Sequence, residues 1–498
     1  MSACLDWCCS KVPQRVVISV LCASAMIVIA FKRKCIEETI NLVTVNVPHS
    51  SPDYTYNFND TCPLTYEGTE EEADLQMVTE YNWSGTTTRL IHHTFFFSSA
   101  LGLVPAGLLV HWHGPRIIFG NGLLISSMVC LFQPFLVSQG PYFFMASVII
   151  QGFSLCVAFP CIITIMVRWA PDNERSTIVG TIFGSFSLGR AISLLVFHVA
   201  FTRSSNLLTS HYVGGAVGLL WCIVWFSLAY DSPTSNPYIS ELELSLFGPS
   251  RDSRRSPDVP WREIFKSRPF LVLLLITCAD EWKFGMMHTV VLITYYEDTL
   301  HVHTDGLMRM VEVAAFPTAV LGGVLSDWFI NNDIISRTMC RKIFSFVGVM
   351  VPTFLTVFIT EIGCDPDHYI AWQILIFLLF GFTYGSIVVN AIDLSTRYAG
   401  LISAMTNTAG LFVSLFPAYV AYAIIKDTHR LSEWSMSLWV SAMIVTTLSV
   451  PYFLYASGEK QQWALSRRSA TLSLSEVPDT DLTQDHPSDQ NQEQHEKR

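Results

Sequence analysis

The sequence contains Trp169-Ala170-Pro171-Asp172-Asn173-Glu174-Arg175, a polar junction that joins two long apolar segments. A second polar junction, Asn390-Ala391-Ile392-Asp393-Leu394-Ser395-Thr396-Arg397, joins two apolar segments further along the chain. The arginines that close the two junctions are 222 residues apart. Gly107 and Gly323, near the ends of two other apolar segments, are 216 residues apart. This repeat indicates a chain built from two related halves.

Long apolar segments fill most of the chain around these junctions. Hydrophobic residues make up 51% of the 498 residues and charged residues only 14%, whereas about 25% of the residues of a soluble domain are charged. A run of about 20 apolar residues can cross a bilayer as a helix. We therefore predict an all-α membrane protein with twelve transmembrane helices in two six-helix halves. The predicted spans are 15–46, 89–110, 116–136, 142–167, 176–200, 211–230, 268–296, 306–329, 342–360, 368–391, 398–425 and 433–455.

Lys and Arg residues are concentrated in the loops on one side of the membrane. Short loops that are rich in these residues face the cytoplasm. Both termini fall on this side, so we expect a multi-pass protein with cytoplasmic termini. The residues that define the side are Lys11, Arg15, Arg116, Arg168, Arg175, 251–268, 337–342 and Arg397.

Polar stretches divide the chain into domains. The formal net charge of −11 resides in the first loop and the tail, so the membrane body is neutral and offers no basic surface to nucleic acid. The tail is polar and poor in aromatic residues, which predicts disorder. The predicted domains are a cytoplasmic N-terminus at 1–14, an N-terminal half at 15–230, a cytoplasmic linker at 231–266, a C-terminal half at 267–458 and the cytoplasmic tail at 459–498.

The first loop, 47–88, carries eight acidic residues and no Lys or Arg. It contains glycosylation sequons at Asn59 and Asn82. Asn59 is the better candidate because Asn82 is closer to the membrane. Cys62 in this loop lies on the same side as Cys364, and of a disulfide and a free thiol we favour the free thiol. The 13 cysteines show no metal-ligand spacing, so no metal site is predicted.

The first span contains an unusual basic cluster at residues 32–34. Read alone, this cluster would end the span and invert the topology. The alternative is a helix that continues to about Val47 with a charged stripe facing a water-filled cavity. Lys34 lies one turn before Glu37 and Glu38 on that stripe and can pair with either carboxylate. A purely structural ion pair to a neighbouring span is the other interpretation.

Several motifs resemble the anion:cation symporter family of the major facilitator superfamily. That family includes vesicular glutamate transporters, sialin and sodium-phosphate transporters. The resemblance runs from about Arg15 to Ala464 and implies the major facilitator fold, with alternating access between the two halves. It rests on Tyr81-Asn82-Trp83-Ser84, Leu90-Ile91-His92, the two junctions and Ala456-Ser457-Gly458-Glu459-Lys460.

The resemblance implies a substrate site and also shows departures from it. His92 matches the family's cavity histidine in span 2, and Lys34 stands close to its arginine in span 1. Val148 and Leu155 replace an arginine and a glutamate of the glutamate and sialate carriers in span 4. Asp280-Glu281-Trp282 stands where vesicular glutamate carriers have Arg-Ser-Trp. We therefore expect a substrate other than glutamate, with phosphate or a weakly charged metabolite left open.

Arg190 lies inside span 5, where an arginine that faced lipid would cost about 2.5 kcal/mol or more. We therefore expect it to face the cavity. Our hypothesis is that Arg190, Lys34 and His92 form the cationic part of the site. The other candidate site residues are Glu38, Asn390, and Asp280 or Glu281 as a counter-ion or as a proton or cation site.

Charged residues at the two junctions predict a cytoplasmic gate. Such residues can pair across the halves in one conformation and separate in the other. Helix capping and membrane anchoring are the alternative interpretation. The predicted gate residues are Glu174, Arg175, Asp393 and Arg397.

The sequence thus predicts a secondary active transporter of a small, organic anion, either cation-coupled or driven by membrane potential. It shows no nucleotide-binding motif or catalytic triad, so we expect no enzyme and no cofactor beyond a coupling proton or sodium ion. The expected partners are the anion and the lipid bilayer but not nucleic acid, and protein partners stay open. The substrate, the oligomeric state and the choice among plasma, vesicle and lysosome membranes stay open. A receptor that no longer transports, or an anion channel, is the alternative.

Overall fold

The computed structural model describes residues 12–43, 60–62, 81, 83–204, 208–247, 258–287, 291, 295–296, 299–300, 304–362 and 364–464. Asn59, Asn82 and the tail from residue 465 lie outside these ranges. Glycosylation and tail disorder therefore stay predictions.

The N-terminal half consists of six helical spans. Span 4 is interrupted after Leu155, and sharp turns at Gly114 and Gly140 separate spans 2, 3 and 4. These two glycines have φ angles of 91° and 118°, a conformation that other residues adopt only with strain. The spans are Gln14–Val43, Gly85–His113, Pro115–Gln139, Pro141–Leu155 with Ala158–Trp169, Arg175–Ser204, and Thr209–Leu228.

The C-terminal half follows a linker that contains the short helices Glu241–Ser245 and Trp261–Lys266. Its spans 9 and 10 are less regular than any in the first half, because π-helical turns interrupt them at Phe346–Met350 and Tyr384–Val388. Spans 7 to 12 are Arg268–Gly285; Thr304–Asn331; Arg337–Ser345 continuing to Glu361; Pro366–Phe380 continuing to Leu394; Ala399–Val413 with Phe416–Ile424; and Leu431–Tyr455.

Eleven helices in the described part of the chain are long and apolar enough to cross a membrane. The remaining predicted span contains Arg268–Gly285, whose second half carries Asp280, Glu281 and Lys283. This helix lies at the predicted position in the chain. Its three charged residues make it more polar than an ordinary lipid-facing span, which is why it is not among the eleven. The predicted all-α membrane fold is confirmed.

Span 1 is one continuous helix through the basic cluster, from Gln14 to Val43. Lys32 is fully buried inside the N-terminal half, where its Nζ donates to the Ser127 hydroxyl at 2.6 Å and to the Leu123 carbonyl at 3.4 Å. Lys32 is therefore buried among the neighbouring spans and does not mark the end of span 1. The interpretation of span 1 as one continuous helix is confirmed.

The two halves pack closely on the side where span 1 begins and span 12 ends, which we call the terminal side. Spans 5 and 8 make backbone contact there: a Cβ atom added at Gly323 would lie 2.4 Å from the Ser176 carbonyl oxygen. Spans 2 and 11 also meet, since a Cβ atom added at Gly107 would lie 2.8 Å from the Ala404 side chain. In this conformation the halves touch on the terminal side.

On the opposite side, the first loop is bonded to the C-terminal half. Cys62 and Cys364 form a disulfide, so the free thiol favoured from the sequence was wrong. The Asp60 carboxylate accepts from the Ser432 backbone N–H at 2.9 Å and from its hydroxyl at 2.8 Å, which holds the loop beside Cys364. The two cysteines are 302 positions apart in the sequence, which explains why the sequence did not reveal their proximity.

Candidate functional site

The charged stripe on span 1 forms as predicted. Lys34 Nζ lies 2.7 Å from the Glu38 carboxylate and 3.5 Å from that of Glu37. Arg33 Nε lies 3.5 Å from Glu37. These pairs join residues three or four positions apart, which face each other on a helix. Span 1 thus supplies two cations and two acids to the interface between the halves.

Arg190 connects this stripe to the other half of the molecule. Its Nε donates to the Glu312 carboxylate of span 8 at 2.6 Å, and its Nη1 lies 3.5 Å from the Glu37 carboxylate. The Arg190 and Glu312 side chains are only 8% and 2% exposed. The prediction that Arg190 faces inward therefore agrees with its position, and the pair crosses from span 5 to span 8.

Glu312 was missed by the sequence analysis. It lies inside an apolar segment. An acid that faces lipid is costly, as an arginine is, so the position of Glu312 alone predicts a side chain that faces inward. In this conformation Glu312 and Glu37 are the counter-ions of Arg190. The sequence had suggested Asp280 or Glu281 for this role.

His92 borders the cluster through an aromatic side chain. Its ring lies 5.2 Å from the ring of Phe96, and the Arg33 guanidinium lies 4.7 Å from the same ring. Phe96 therefore sits between the histidine and the cation. The structure brings His92 close to the charged stripe of Arg33, Lys34 and Glu37, and among the described residues it makes no ion pair to them.

Asp280 and Lys283 form a separate pair on span 7. Lys283 Nζ donates to the Asp280 carboxylate at 2.6 Å and to the Gly348 carbonyl at 2.8 Å. The Lys283 side chain is 3% exposed and Asp280 is 27% exposed. The partner of Asp280 therefore comes from the same helix. Asp280 also lines a cavity of about 40 Å³, together with Ser187 and Tyr384.

Glu281 differs from the other central charges. Within the described parts of the chain, its carboxylate makes no hydrogen bond and no ion pair. Its side chain packs against Gly410 of span 11, where an added Cβ atom would lie 2.7 Å from the Glu281 Cγ. Arg33 of the opposite half interacts with it electrostatically. Glu281 thus faces the interface between the halves.

Asn390 does not belong to this cluster, contrary to the prediction. Its side-chain amide is buried and donates to the Ser457 carbonyl at 3.3 Å. This contact ties the end of span 10 to the segment that follows span 12. The π-helical turn at Tyr384–Val388 directly precedes Asn390 and shifts the face on which later residues lie.

The ion pairs observed for the predicted gate residues join residues of the same half. Glu174 lies 3.5 Å from Arg15 of the same half. Arg175 pairs with Asp172 of its own junction, and Asp393 accepts from Arg341 Nε at 2.7 Å. The Arg397 guanidinium stacks on the ring of Tyr398 at 5.6 Å. Pairing of these residues across the halves in one conformation of the cycle stays a prediction.

Two residues that the sequence did not single out, Asp327 and Arg341, make polar contacts between the halves on the terminal side. The Asp327 carboxylate of span 8 accepts from the backbone N–H groups of Ser176 and Thr177 at 3.0 and 2.7 Å. Arg341, held by Asp393, donates to the Ser176 hydroxyl at 3.0 Å. A carboxylate is favoured at a helix N-terminus, so Asp327 caps span 5 from the other half.

These features define a class of protein. Two bundles of membrane helices meet at a buried, charge-lined centre and pack closely on the terminal side, which is the arrangement of a secondary transporter that works by alternating access. The chain belongs to the Major Facilitator Superfamily, whose sequence profile matches residues 73–417. The expectation of a membrane carrier rather than an enzyme is thereby confirmed.

Individual relatives agree with this family. The chain is 26% identical over 403 residues to a putative inorganic phosphate cotransporter of Drosophila ananassae, covering 77% of this chain and 82% of the relative. It is 28% identical over 405 residues to vesicular glutamate transporter 3 of Danio rerio, covering 77% and 66%. The predicted resemblance to the anion:cation symporter family is confirmed.

A solved structure shows the same fold. The fucose:proton symporter of E. coli superposes with a TM-score of 0.56 at 13% sequence identity, covering 88% of this chain and all of that chain. At this identity the likeness concerns the fold alone.

Proposed function

We propose that this protein carries a small organic anion across a membrane by alternating access, with Arg190 as the principal cation of the substrate site. The observation that carries the proposal is the buried Arg190–Glu312 pair at 2.6 Å. It joins spans 5 and 8, so the halves cannot separate there without giving Arg190 a different partner.

An anionic substrate is the natural alternative partner. A guanidinium presents a planar fork that matches a carboxylate or phosphate group. A substrate anion bound to Arg190 would replace Glu312 and release the contact between the halves. Lys34 and His92 border the same space and complete the cationic side of the site.

The departures from the glutamate carriers favour a substrate with fewer charges than glutamate. Val148 and Leu155 are buried apolar side chains, at 0% and 5% exposure, and Asp280 is paired within its own helix. No second arginine of the glutamate-carrier type occurs at these positions. The phosphate named in one relative supports an anion of small size.

We also propose that both termini face the cytoplasm, as the Lys and Arg distribution predicts. The Cys62–Cys364 disulfide on the opposite side supports this orientation, because disulfides persist in oxidising compartments and not in the cytosol. The cell surface, a secretory vesicle and a lysosome all satisfy this condition.

The experiment is uptake into proteoliposomes of purified protein across a panel of labelled monocarboxylates, dicarboxylates and phosphate. Membrane potential, pH gradient and sodium gradient are imposed one at a time. We expect saturable flux of one class of anion, and we expect Arg190→Ala to reduce it at least about tenfold, which corresponds to about 1.4 kcal/mol of lost binding.

A matched variant separates loss of binding from loss of folding. Arg190→Ala alone leaves Glu312 as a buried unpaired carboxylate, which is strongly destabilising. Arg190→Ala combined with Glu312→Gln removes both charges and should restore thermal stability without restoring flux. Wild-type flux in that double variant would contradict the proposal. Absence of flux in folded wild-type protein would favour a receptor, and non-saturable flux would favour a channel.

A further inference from the structure

At the centre of the interface between the halves, every charged side chain that the structure describes, except one, has a partner of opposite sign. Lys32 lies outside this interface, inside the N-terminal half, where it bonds to Ser127 and Leu123. Arg33, Lys34 and Arg190 are balanced by Glu37, Glu38 and Glu312, and Asp280 is balanced by Lys283. Glu281 is the exception within the described residues. An ionised carboxylate without a partner is costly inside a membrane protein, and protonation removes that cost.

We propose that Glu281 is the proton-binding carboxyl of the transport cycle, so that the protein carries one proton together with each monovalent anion. The inference rests on the proposed function, because it assigns the coupling ion of the same carrier. The step is a proton transfer: the carboxylate forms an O–H bond with a proton taken from hydronium on one side of the membrane, and that bond breaks when the proton passes to water on the other side.

The surroundings of Glu281 provide a means of releasing the proton. The titratable or charged groups around it are Cys278, Asp280 and Lys283 of its own helix, Arg33 of span 1, and Tyr384 of span 10. Spans 11 and 12, which pack on span 7, carry no Lys, Arg or Asp, and their one acidic residue, Glu433, lies at the far end of span 12. Arg33 is therefore the only cation that the opposite half presents to Glu281 in the described structure. Rearrangement of the halves changes the distance between these two groups, and a closer guanidinium favours the ionised carboxylate.

Charge counting gives the stoichiometry. Protonation of Glu281 adds one positive charge to the centre, and a bound monovalent anion adds one negative charge. The loaded carrier therefore holds the same net charge as the empty carrier with ionised Glu281. Neither form is therefore more costly to bury than the other, and one turnover moves no net charge across the membrane.

The test uses the anion that the uptake panel identifies. For wild-type protein we expect a pH gradient to accumulate the anion about tenfold per pH unit, since one pH unit corresponds to about 1.4 kcal/mol. Membrane potential alone should have no effect on this accumulation. An imposed anion gradient should move protons, which a pH-sensitive dye inside the liposomes reports.

Glu281→Gln should retain anion counterflow but lose both accumulation by the pH gradient and anion-driven proton movement. Its net flux should become sensitive to membrane potential, because the loaded carrier then carries one more negative charge than the empty one. Glu312→Gln serves as the comparison: it should change the anion KM while proton movement remains coupled.

Proton coupling that persists in Glu281→Gln would overturn the inference, whatever the anion. Loss of coupling in His92→Asn together with retained coupling in Glu281→Gln would assign the proton to His92 instead. Absence of any anion flux in wild-type protein would defeat the proposed function itself and is distinguished from these outcomes. Anion counterflow in Glu281→Gln verifies that the variant is folded and cycles between its conformations.

Discussion

Equivalent positions in the two halves close the terminal side by different chemistry. Asp327 at the end of span 8 accepts two backbone N–H bonds from the start of span 5, at 3.0 and 2.7 Å. The residue 216 positions earlier, at the end of span 2, is His111. Its ring lies 5.4 Å from the ring of Tyr398 at the start of span 11.

The difference indicates that the repeat conserves position but not the strength of the contact. A carboxylate at a helix N-terminus contributes about 0.3 to 1 kcal/mol and up to about 2 kcal/mol when partly buried. An aromatic pair contributes about 0.5 to 1.5 kcal/mol beyond its buried area. Span 11 also lacks a side-chain cap at Tyr398. We therefore expect the contact between spans 5 and 8 to dominate the closed terminal side.

The largest effect should come from the backbone contact beside Asp327. Gly323→Ala places a Cβ atom 2.4 Å from the Ser176 carbonyl oxygen, and such overpacking costs about 1 to 3 kcal/mol. We expect the closed terminal side to be disfavoured and uptake to fall at least about fivefold. Uptake and labelling of single cysteines introduced on the terminal side measure this change.

Gly85→Ala is the matched control, since the nearest atom to its added Cβ is the end of the Arg89 side chain at 4.0 Å. Equal effects of the two glycine substitutions would contradict close packing of spans 5 and 8.

An intermediate effect is expected for the cap itself. Asp327→Ala removes the acceptor of both N–H groups and should cost about 1 to 2 kcal/mol. Asp327→Asn keeps one acceptor oxygen and should cost less. The measurement is thermal unfolding of the purified protein, combined with the same cysteine labelling. Equal effects of the Asn and Ala substitutions would show that charge alone governs the contact.

The smallest effect should come from the other half. His111→Ala removes the ring contact with Tyr398 and should lower stability by about 0.5 to 1 kcal/mol. His113→Ala, at an exposed position of the same helix end, is the control and should leave thermal unfolding unchanged. A change for His111→Ala that exceeds that of Asp327→Ala would reverse the proposed order of the two contacts.

The sequence predicted what depends on spacing within one helix. Lys34 and Glu38 pair because four residues make about one helical turn, and the repeat predicted the two halves. Three contacts that the sequence did not predict join distant residues. The Arg190–Glu312 pair, the Ser176–Asp327 hydrogen bond and the Cys62–Cys364 disulfide span 122, 151 and 302 positions, and helical spacing contains no information about such contacts.

Asn390 shows a different limit of sequence reasoning. The π-helical turn before it changes the register. A regular period assigns its side chain to the wrong face.

The disulfide between the first loop and the C-terminal half has a consequence for the connectivity of the molecule. The halves are joined covalently twice, through the central linker and through Cys62–Cys364. From Val43 to Asp60 the chain can reach about 60 Å when extended, so this second connection leaves the halves room to move. A protease cut after Arg254 or Arg255 in the linker would therefore leave one covalent molecule, and its two halves would come apart only after reduction.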